Sequence, residues 1–366
     1  MRIAFTYIFL LVLATASAQT KQEVPVDVMQ RIYDQVKTPY KYGLVLTPET
    51  ENKKLDCPSV FRKNGHWYMT YIQFDGRGYE TWISGSKDLL HWETLGKLMS
   101  FSDTTDWDNN QKAGYIALQE PEWGGSYEWQ RYDGKYWMSY IGGNTRGYEK
   151  GLLSIGMAYT TKDPTKPHEL QRLPQPVLMS SDKEAGWWEN NVQYKSTVLW
   201  DRSKATGHQF IMYYNAKGDS INPKRGKERI GMAVSDDMLH WQRFGKEPVL
   251  NHHAGITGDP WIQRINDVWV MFYFGAFWKD KGGAFNRFAC SYDLLHWTDW
   301  TGDDLIKSSE PFDGMFAHKS SVVYYKGIVY HFYCAVNKAD QRGIAVATSV
   351  DKGKSALRFG KEEKTK

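Results

Sequence analysis

The sequence predicts an all-β fold, a five-bladed β-propeller with four antiparallel strands in each blade. A seven-residue phrase, Ser-x-Asp-(Leu/Met)-Leu-His-Trp, occurs at 86–92, 235–241 and 291–297, and degenerate copies lie at 160–164 and 348–351. A strand of alternating aromatic residues precedes each copy, and hairpin signals such as Asn64-Gly65 and Asp133-Gly134 precede most of these strands. Five four-stranded units around a channel explain this pattern, whereas a helical solenoid would show an apolar period of about 3.6.

Each unit is expected to place its aromatic strand before a strand of small residues that runs into the phrase. The aromatic strands are predicted at 66–71, 135–140, 209–214, 268–273 and 329–333. The small-residue strands are predicted at 80–85, 153–159, 229–234, 288–290 and 343–347. Because the fifth unit runs out of chain near Val350, we expect the early stretch from Tyr42 to Leu46 to supply its outermost strand and close the ring.

The repeated phrase itself is interpreted as scaffold. Its Ser and Asp side chains can hydrogen-bond the backbone of a turn, and its Trp can pack between blades while the His covers it. His91, His240 and His296 occupy equivalent positions in different blades, so they cannot meet at one metal ion. We therefore expect these three histidines to be structural.

The two ends of the sequence differ from the repeats. Arg2, the apolar run from Ile3 to Leu13 and the small residues Ala16-Ser17-Ala18 predict a signal peptide over 1–18. This run is shorter than the roughly 20 apolar residues that a membrane span needs, and no other stretch approaches that length. We expect an exported periplasmic or extracellular protein without a membrane span, with the propeller over 19–351 and a flexible charged tail over 352–366.

Composition excludes some classes of partner and site. The net charge is +4, from 46 basic and 42 acidic residues without a basic block, so nucleic acid is not an expected partner. Cys57, Cys290 and Cys334 are odd in number and widely spaced, which predicts buried free thiols. The 16 Trp and 23 Tyr fit both packing between blades and stacking on sugars.

Candidate catalytic residues open the innermost strands, which line the channel of a propeller. The polar residues at these strand starts are Asp56, Glu120, Glu189, Asp259 and His318, and we expect them to converge at one mouth. For any single acidic residue, capping of a turn is the alternative. Crowded carboxylates raise one another's pKa, and a carboxylic acid opposite an ionised base is what cleavage of a glycosidic bond requires.

Polar and aromatic residues of the neighbouring loops are candidates for binding a substrate. Flat Trp faces beside carboxylates suit sugar rings. The candidate substrate-binding residues are Arg77, Tyr79, Trp82, Glu120, Glu122, Trp123, Trp188, Trp261 and Lys319.

Three features resemble the five-bladed glycosidases of families 43 and 117, over nearly the whole of the predicted mature chain. They are Asp56 opening the first blade, the pair Asp259-Pro260, and the Asn-Gly-x-Trp-Tyr pattern of 64–68. The resemblance implies that Asp56 is the base that activates water and that Asp259 is a second carboxylate that tunes pKa values. It also implies that a fifth-blade His, here His318, lies near the axis, where a structural Ca²⁺ or another cation could bind. No cofactor is required for the chemistry.

The general acid is the point at which the sequence departs from this pattern, because it contains no Glu-Gly-Pro of the family 43 kind. Glu189 and Glu122 are the carboxyl candidates. His318 is a third candidate, because a His of this blade has been discussed as an acid in family 117 and because His titrates near neutrality. A hydrogen-bonding residue that fills the channel is the alternative for His318.

Together these features predict a secreted, exo-acting glycoside hydrolase that removes a terminal sugar from a plant or algal oligosaccharide. The missing Glu-Gly-Pro keeps a non-catalytic carbohydrate-binding propeller as the alternative. A sugar phosphorylase would need clustered cations to hold phosphate, and the sequence shows only scattered Arg and Lys.

Overall fold

A computed structural model describes residues 23–218, 227–252, 255–279 and 281–360. The predicted signal peptide over 1–18 lies outside the described residues. The first element of the described part is helix α1 (Val26–Val36), which we did not predict. Its buried residues Met29, Ile32 and Val36 follow helical spacing, and the ring of Tyr33 stacks on Trp300 at 5.4 Å. Within the ranges described here, no helix is long and apolar enough to span a membrane.

Strands make up most of the remaining regular structure. The first are β1 (Tyr40–Leu46), β2 (Lys54–Lys63), β3 (His66–Phe74), β4 (Tyr79–Ser86) and β5 (Trp92–Met99). They are followed by β6 (Gln111–Ile116), β7 (Arg131–Tyr132), β8 (Lys135–Gly143), β9 (Ser154–Thr160) and β10 (Gln171–Arg172). Then come β11 (Val192–Trp200), β12 (Phe210–Lys217), β13 (Glu228–Ser235) and β14 (Gln242–Phe244). The last are β15 (Ile256–Ile265), β16 (Val268–Trp278), β17 (Lys281–Ser291), β18 (Thr298–Asp299), β19 (Phe316–Tyr325), β20 (Ile328–Val336) and β21 (Arg342–Thr348), with a 3₁₀ turn at Pro311–Asp313 before β19.

These strands form antiparallel sheets of four strands in the order β2-β3-β4-β5, β6-β8-β9-β10 and β11-β12-β13-β14, with β7 added to the second. The units β15 to β18 and β19 to β21 join into one larger sheet through a single parallel bridge between Ala284 and Phe316. Strand β1 pairs antiparallel with β21. The all-β fold of four-stranded antiparallel units is confirmed, as is the outermost position of the N-terminal strand; the count of five blades and the closed ring stay predictions.

The repeated phrase forms the same hydrogen-bonded turn in its three full copies. In the first copy, Ser86 Oγ accepts the N–H of Leu89, and Asp88 accepts the N–H groups of Leu90 and His91. The imidazole Nδ1 of His91 lies 2.7 Å from the other oxygen of Asp88. The copies at 235–241 and 291–297 repeat these contacts. The three histidines therefore hold turns, in line with the structural interpretation.

Removing one of these turn carboxylates should destabilise the fold without affecting catalysis. We expect Asp237→Ala to lower the free energy of unfolding by about 1–3 kcal/mol, because Leu239 and His240 lose the acceptor of their backbone N–H groups. Urea denaturation of both variants and the wild type measures this. Asp267→Ala is the matched control, since the Asp267 side chain is 97% exposed and pairs only loosely with Arg264 at 3.6 Å. Equal stability of the Asp237 variant and the wild type would contradict the prediction.

The predicted flexible tail needs a correction for residues 352–360. Ser355 is buried, its backbone N–H donates to Tyr42 O at 2.8 Å and its hydroxyl donates to Leu44 O at 2.5 Å. Phe359 packs with Leu44 against the core. This stretch has no regular secondary structure, but it lies along β1 and satisfies backbone groups of that edge strand. Residues 361–366 lie outside the described residues.

Bulges at corresponding points of four inner strands shape the functional site. The pairing register shifts between Asp56 and Ser59, between Gln193 and Ser196, between Gly258 and Trp261, and between His318 and Ser321. Three bulge residues have a left-handed backbone, with φ of 50° at Cys57, 54° at Asp259 and 65° at Lys319. Bulges bend a strand and redirect its side chains. Here they bring side chains of different sheets to one cavity.

Candidate active site

The bulged ends of the inner strands border a cavity of about 230 Å³. Four tyrosines form much of its polar and aromatic wall, namely Tyr79, Tyr115, Tyr148 and Tyr194. Its charged lining residues are Glu149, Lys195, Glu228, Asp259, Lys319 and Arg342. Of the residues predicted to catalyse or to bind substrate, the cavity lining contains Tyr79, Asp259, His318 and Lys319.

Asp56 lies behind the cavity wall and holds two cations that line it. Its Oδ2 is 2.8 Å from Lys319 Nζ and 3.5 Å from the guanidinium of Arg342. Burial alone would raise the pKa of Asp56, but these charges hold it far below its usual range. Burial would lower the pKa of Lys319, yet the charge of Asp56 raises it. Asp56 and Lys319 therefore form a buried ion pair, and a carboxylate of such low basicity is a poor proton acceptor.

His318 borders the cavity as a neutral residue. Burial, with a further contribution from Lys319, lowers the pKa of His318 to about 3. Its Nδ1 lies 3.3 Å from Cys334 O, and its ring packs edge-on against Phe274 at 5.3 Å. An imidazole that is uncharged near pH 7 has no proton to give as an acid at that pH. This environment fits the alternative interpretation of His318 as a hydrogen-bonding residue of the channel.

The cation site that the family resemblance implies does not fit the side chains that are present. Asp56, His318 and Cys334 offer ligand atoms within 4.8 Å of one another. Calcium prefers six to eight oxygen ligands, whereas this set has one carboxylate that is already paired with Lys319. Burial also raises the pKa of the Cys334 thiol well above its ordinary value, which disfavours the thiolate that a softer metal needs. The Lys319 ammonium occupies the position of positive charge next to Asp56.

Asp259 is the predicted carboxylate that the structure does place in the cavity wall. Its Oδ2 lies 3.5 Å from the Cys57 sulfur, and the Tyr115 hydroxyl lies 3.9 Å from the same sulfur. Burial raises the pKa of Asp259, while Lys319 and Lys195 act in the opposite direction. Cys57 is buried and its thiol pKa lies well above the ordinary value, so it packs as a neutral side chain.

Two glutamates that sequence reasoning missed complete the acidic side of the cavity. Glu149 lies in the loop between β8 and β9, and Glu228 begins β13. Burial, together with the neighbouring charges of Glu149 and Asp259, raises the pKa of Glu228 to about 8. Its Oε2 accepts a hydrogen bond from Asn215 at 2.7 Å.

Glu149 differs from Glu228 in its environment. Packing around its carboxyl raises the pKa of Glu149, but Lys319 and Arg342 oppose this rise. The residue as a whole is exposed to solvent, which keeps the rise modest. The two glutamates are thus separated in acidity, with Glu228 protonated and Glu149 ionised near neutral pH. Such a pair matches the acid and base assignments of many hydrolases.

Lys195 is a second missed residue of the cavity wall. The residue is 1% exposed, and its Nζ has no hydrogen-bond partner within the described ranges. The ammonium lies 5.5 Å from the ring centre of Tyr115 and 5.9 Å from that of Trp261. Its positive charge stabilises the ionised form of Asp259.

Glu189 does not reach the cavity. Its Oε2 accepts hydrogen bonds from Tyr214 at 2.7 Å and from Arg243 at 2.9 Å, and its Oε1 accepts the N–H of Gly186. Trp188 beside it is buried and packs at 5.5 Å from the ring of Tyr214. Both side chains therefore hold the segment before β11, which corrects the expectation that they lie at the channel mouth.

The remaining predicted binding residues also lie outside the cavity lining. Glu120 caps a turn by accepting the N–H groups of Glu122 and Tyr127, as the capping alternative holds. Arg77 bonds Asn110 and Ser102, Trp82 lies under Lys97, and Trp123 stacks on Tyr324 at 5.4 Å. Glu122 faces Arg264 at 3.6 Å, and Trp261 is buried in the core.

The errors in blades two and three have a common cause. We placed the inner strands at Gln119 and Trp188, whereas β6 ends before Gln119 and β11 begins after Trp188. A signal for the third blade was present, because Lys195-Ser-Thr-Val198 repeats the pattern of Lys319-Ser-Ser-Val322. No comparable repeat marks Glu149, which lies in a loop.

Comparisons with known proteins place this protein in a class. No model of a known protein family matches it, and no curated protein matches it. Among solved structures, one described as "Glycoside hydrolase" has 50% sequence identity and a TM-score of 0.90, covering 93% of this chain and 100% of the other. A solved complex of BT0996 named for RGII has 51% identity, a TM-score of 0.90 and the same coverage.

More distant structures share the fold. A family 117 glycoside hydrolase from the marine bacterium Zobellia galactanivorans has 15% identity and a TM-score of 0.60, covering 88% of this chain and 96% of the other. A thermostable family 43 glycoside hydrolase is also a structural neighbour. The fold and the acidic cavity are those of a carbohydrate-cleaving enzyme. This protein belongs to the glycoside hydrolases, which confirms the predicted enzyme class and the resemblance to the propeller families.

Proposed function

We propose that this glycoside hydrolase is exo-acting and removes one terminal sugar from an oligosaccharide, with Glu228 as general acid and Glu149 as the ionised carboxylate. The observation that carries the proposal is a single small cavity lined by two glutamates of different acidity. Asp56, which the family resemblance implied as the base, is assigned here to positioning Lys319.

The size and depth of the cavity support exo action. Its volume of about 230 Å³ is below the roughly 300–1,000 Å³ of sites for drug-sized ligands, so it suits one sugar ring. Beyond it, the inner strands are tied together. Val60 N donates to Ser321 Oγ at 3.0 Å, and the Gln119 amide donates to Val60 O at 2.8 Å. A glycan has no room to thread past these contacts, so it can enter only with a terminal residue.

The proposed reaction balances protons and bonds. Glu228 gives its proton to the glycosidic oxygen as the bond from that oxygen to the anomeric carbon breaks. Glu149 either removes a proton from the water that attacks the anomeric carbon or attacks that carbon itself before water replaces it. These routes correspond to carboxyl separations of about 6.5–9.5 Å and about 5–5.5 Å, and they give products of opposite anomeric configuration.

The substrate proposal draws on the relative at 51% identity, which was solved as a complex named for RGII. We propose an oligosaccharide of this kind, of plant origin, as the substrate. We further propose that the four-stranded units form a closed five-bladed ring, and that export through the 1–18 segment delivers the enzyme to the periplasm or the medium, where such glycans occur.

The test uses RGII oligosaccharide and a panel of terminal-sugar glycosides with the wild type and Glu149→Gln. We expect the wild type to release one monosaccharide and an oligosaccharide shortened by one residue, and the variant to lose about 10²- to 10⁴-fold in kcat/KM. Glu122→Gln is the matched control, because Glu122 lies outside the cavity against Arg264. Release of internal fragments would overturn exo action, and full activity of Glu149→Gln would remove Glu149 from the mechanism. Nuclear magnetic resonance of the first-formed anomer distinguishes the two routes.

A further inference from the structure

We infer that Phe277 is the platform for the sugar on the leaving-group side of the scissile bond, and that it makes the enzyme prefer oligosaccharides to simple glycosides. This inference rests on the proposed function. It concerns a residue at the cavity mouth that is distinct from the groups assigned to proton transfer.

Phe277 combines two properties that rarely occur together. The residue is 59% exposed, and it lines the cavity. The other large hydrophobic residues that are exposed within the described ranges, such as Trp187, Leu152 and Leu95, are not among the lining residues. An aromatic ring held in water at the entrance to a carbohydrate site presents a flat apolar face to whatever enters.

The backbone of β16 is distorted in a way that exposes this ring. Ala276 pairs with Ala284 and Trp278 pairs with Lys281, so Phe277 is an extra residue in the ladder. Its φ is 54°, a left-handed conformation that a bulky residue rarely adopts. Ala276 and Trp278 on either side are buried, whereas the bulge turns Phe277 outward. Strain of this kind at a cavity mouth points to function, because packing alone gives no reason to expose Phe.

The ring is also braced in one orientation. The Phe316 ring meets it edge to face, with centroids 5.9 Å apart and planes at 89°. Phe316 is itself part of the cavity lining, at the start of β19. One face of Phe277 is thus left for a ligand, and little rotamer freedom remains to be lost when the ligand binds.

The occupant follows from the size of the cavity. One sugar ring fills the space next to Glu149 and Glu228, so the next ring of the substrate must lie at the mouth. The C–H face of a sugar is apolar and matches a flat aromatic ring. Contacts of this kind change affinity by up to about tenfold.

The experiment compares two substrates with Phe277→Ala and Phe277→Trp. The substrates are RGII oligosaccharide and the methyl glycoside of the sugar that the enzyme releases from it, which has no second ring. For Phe277→Ala we expect kcat/KM to fall about tenfold on the oligosaccharide, mainly through KM, and to stay within about twofold on the methyl glycoside. Phe277→Trp should retain the wild-type preference.

The possible outcomes separate this inference from the proposed function. Leu95→Ala is the control for loss of an exposed apolar side chain, because Leu95 is 39% exposed and lies away from the cavity lining. Equal losses on both substrates, or no loss on either, would overturn the platform while leaving the proposed hydrolysis intact. Lack of wild-type activity on both substrates would overturn the proposed function and the platform with it.

Discussion

Replacing Glu228 with Gln should reduce kcat/KM on oligosaccharide by about 10²- to 10⁴-fold, the typical contribution of a general acid. Gln keeps the size of the side chain and can still contact Asn215, but it has no acidic proton to give to the leaving oxygen. A glycosyl fluoride of the released sugar should retain most of its turnover, because fluoride departs without strong acid assistance. This contrast distinguishes loss of the acid from loss of the fold.

The same residue sets the expected pH dependence. Burial and the charges of Glu149 and Asp259 raise the pKa of Glu228 to about 8, so the acid is protonated below that pH and loses its proton as the pH rises through it. The wild-type kcat/KM should therefore fall above about pH 8. On the acidic side it should fall when Glu149 becomes protonated. With the glycosyl fluoride as substrate, Glu228→Gln should remove the alkaline fall and keep the acidic one.

Steady-state kinetics from about pH 4 to about pH 10 measure both effects. An unchanged alkaline limb in Glu228→Gln would assign that limb to another group and contradict the role of Glu228 as acid. Glu122→Gln should reproduce the wild-type profile, because that carboxyl lies outside the cavity against Arg264.

The second large effect is on stability. Asp56→Asn should lower the free energy of unfolding by about 3–5 kcal/mol, because it leaves the buried Lys319 ammonium without its counter-charge. Both partners are buried, with side-chain exposures of 3% for Asp56 and 12% for Lys319. Arg342 loses less, since it also pairs with Asp340 at 3.3 Å. Activity should fall as well, because Lys319 lines the cavity and supports the ionised form of Glu149.

The sign of the pH effect on stability follows from the folded pKa of Asp56. Because this pKa lies below that of the unfolded state, about 3.9, the ion pair contributes fully above the unfolded value and loses its contribution as the pH falls towards the folded one. The stability difference between the wild type and Asp56→Asn should therefore be greatest near neutral pH and shrink below about pH 4.

Urea denaturation of Asp56→Asn, Lys319→Met and the double variant tests the ion pair. The double variant should be more stable than the sum of the two single losses predicts, because no unpaired charge remains at this position. Simple additivity would contradict a direct coupling between Asp56 and Lys319. Asp267→Asn is the control, because its carboxylate is exposed.

The repeating scaffold could be predicted from sequence because its signals are local. Turn residues such as Ser86, Asp88 and His91 bond one another within six positions, and alternation along a strand shows which face is buried. Asp56, Asp259 and His318 were found in the same way, since each stands next to a recurring strand. The helix α1 was missed although its apolar residues follow a helical period.

The loops between strands carry no such period, and Glu149 was invisible for that reason. Glu228 begins a predicted strand region, but nothing local marks its end as facing the cavity. Glu189 looked equivalent to Asp56 until the fold placed Tyr214 and Arg243 around it.

The four-stranded units, their turns and the class of enzyme thus follow from the sequence, because they depend on neighbours along the chain and on a repeated pattern. Only the tertiary structure decided which carboxylates border the cavity and which are ionised. The pKa of a side chain depends on burial and on charges that are distant in sequence, such as Lys319 beside Asp56 and Glu149 beside Glu228. These contacts exist only after the separate sheets have come together.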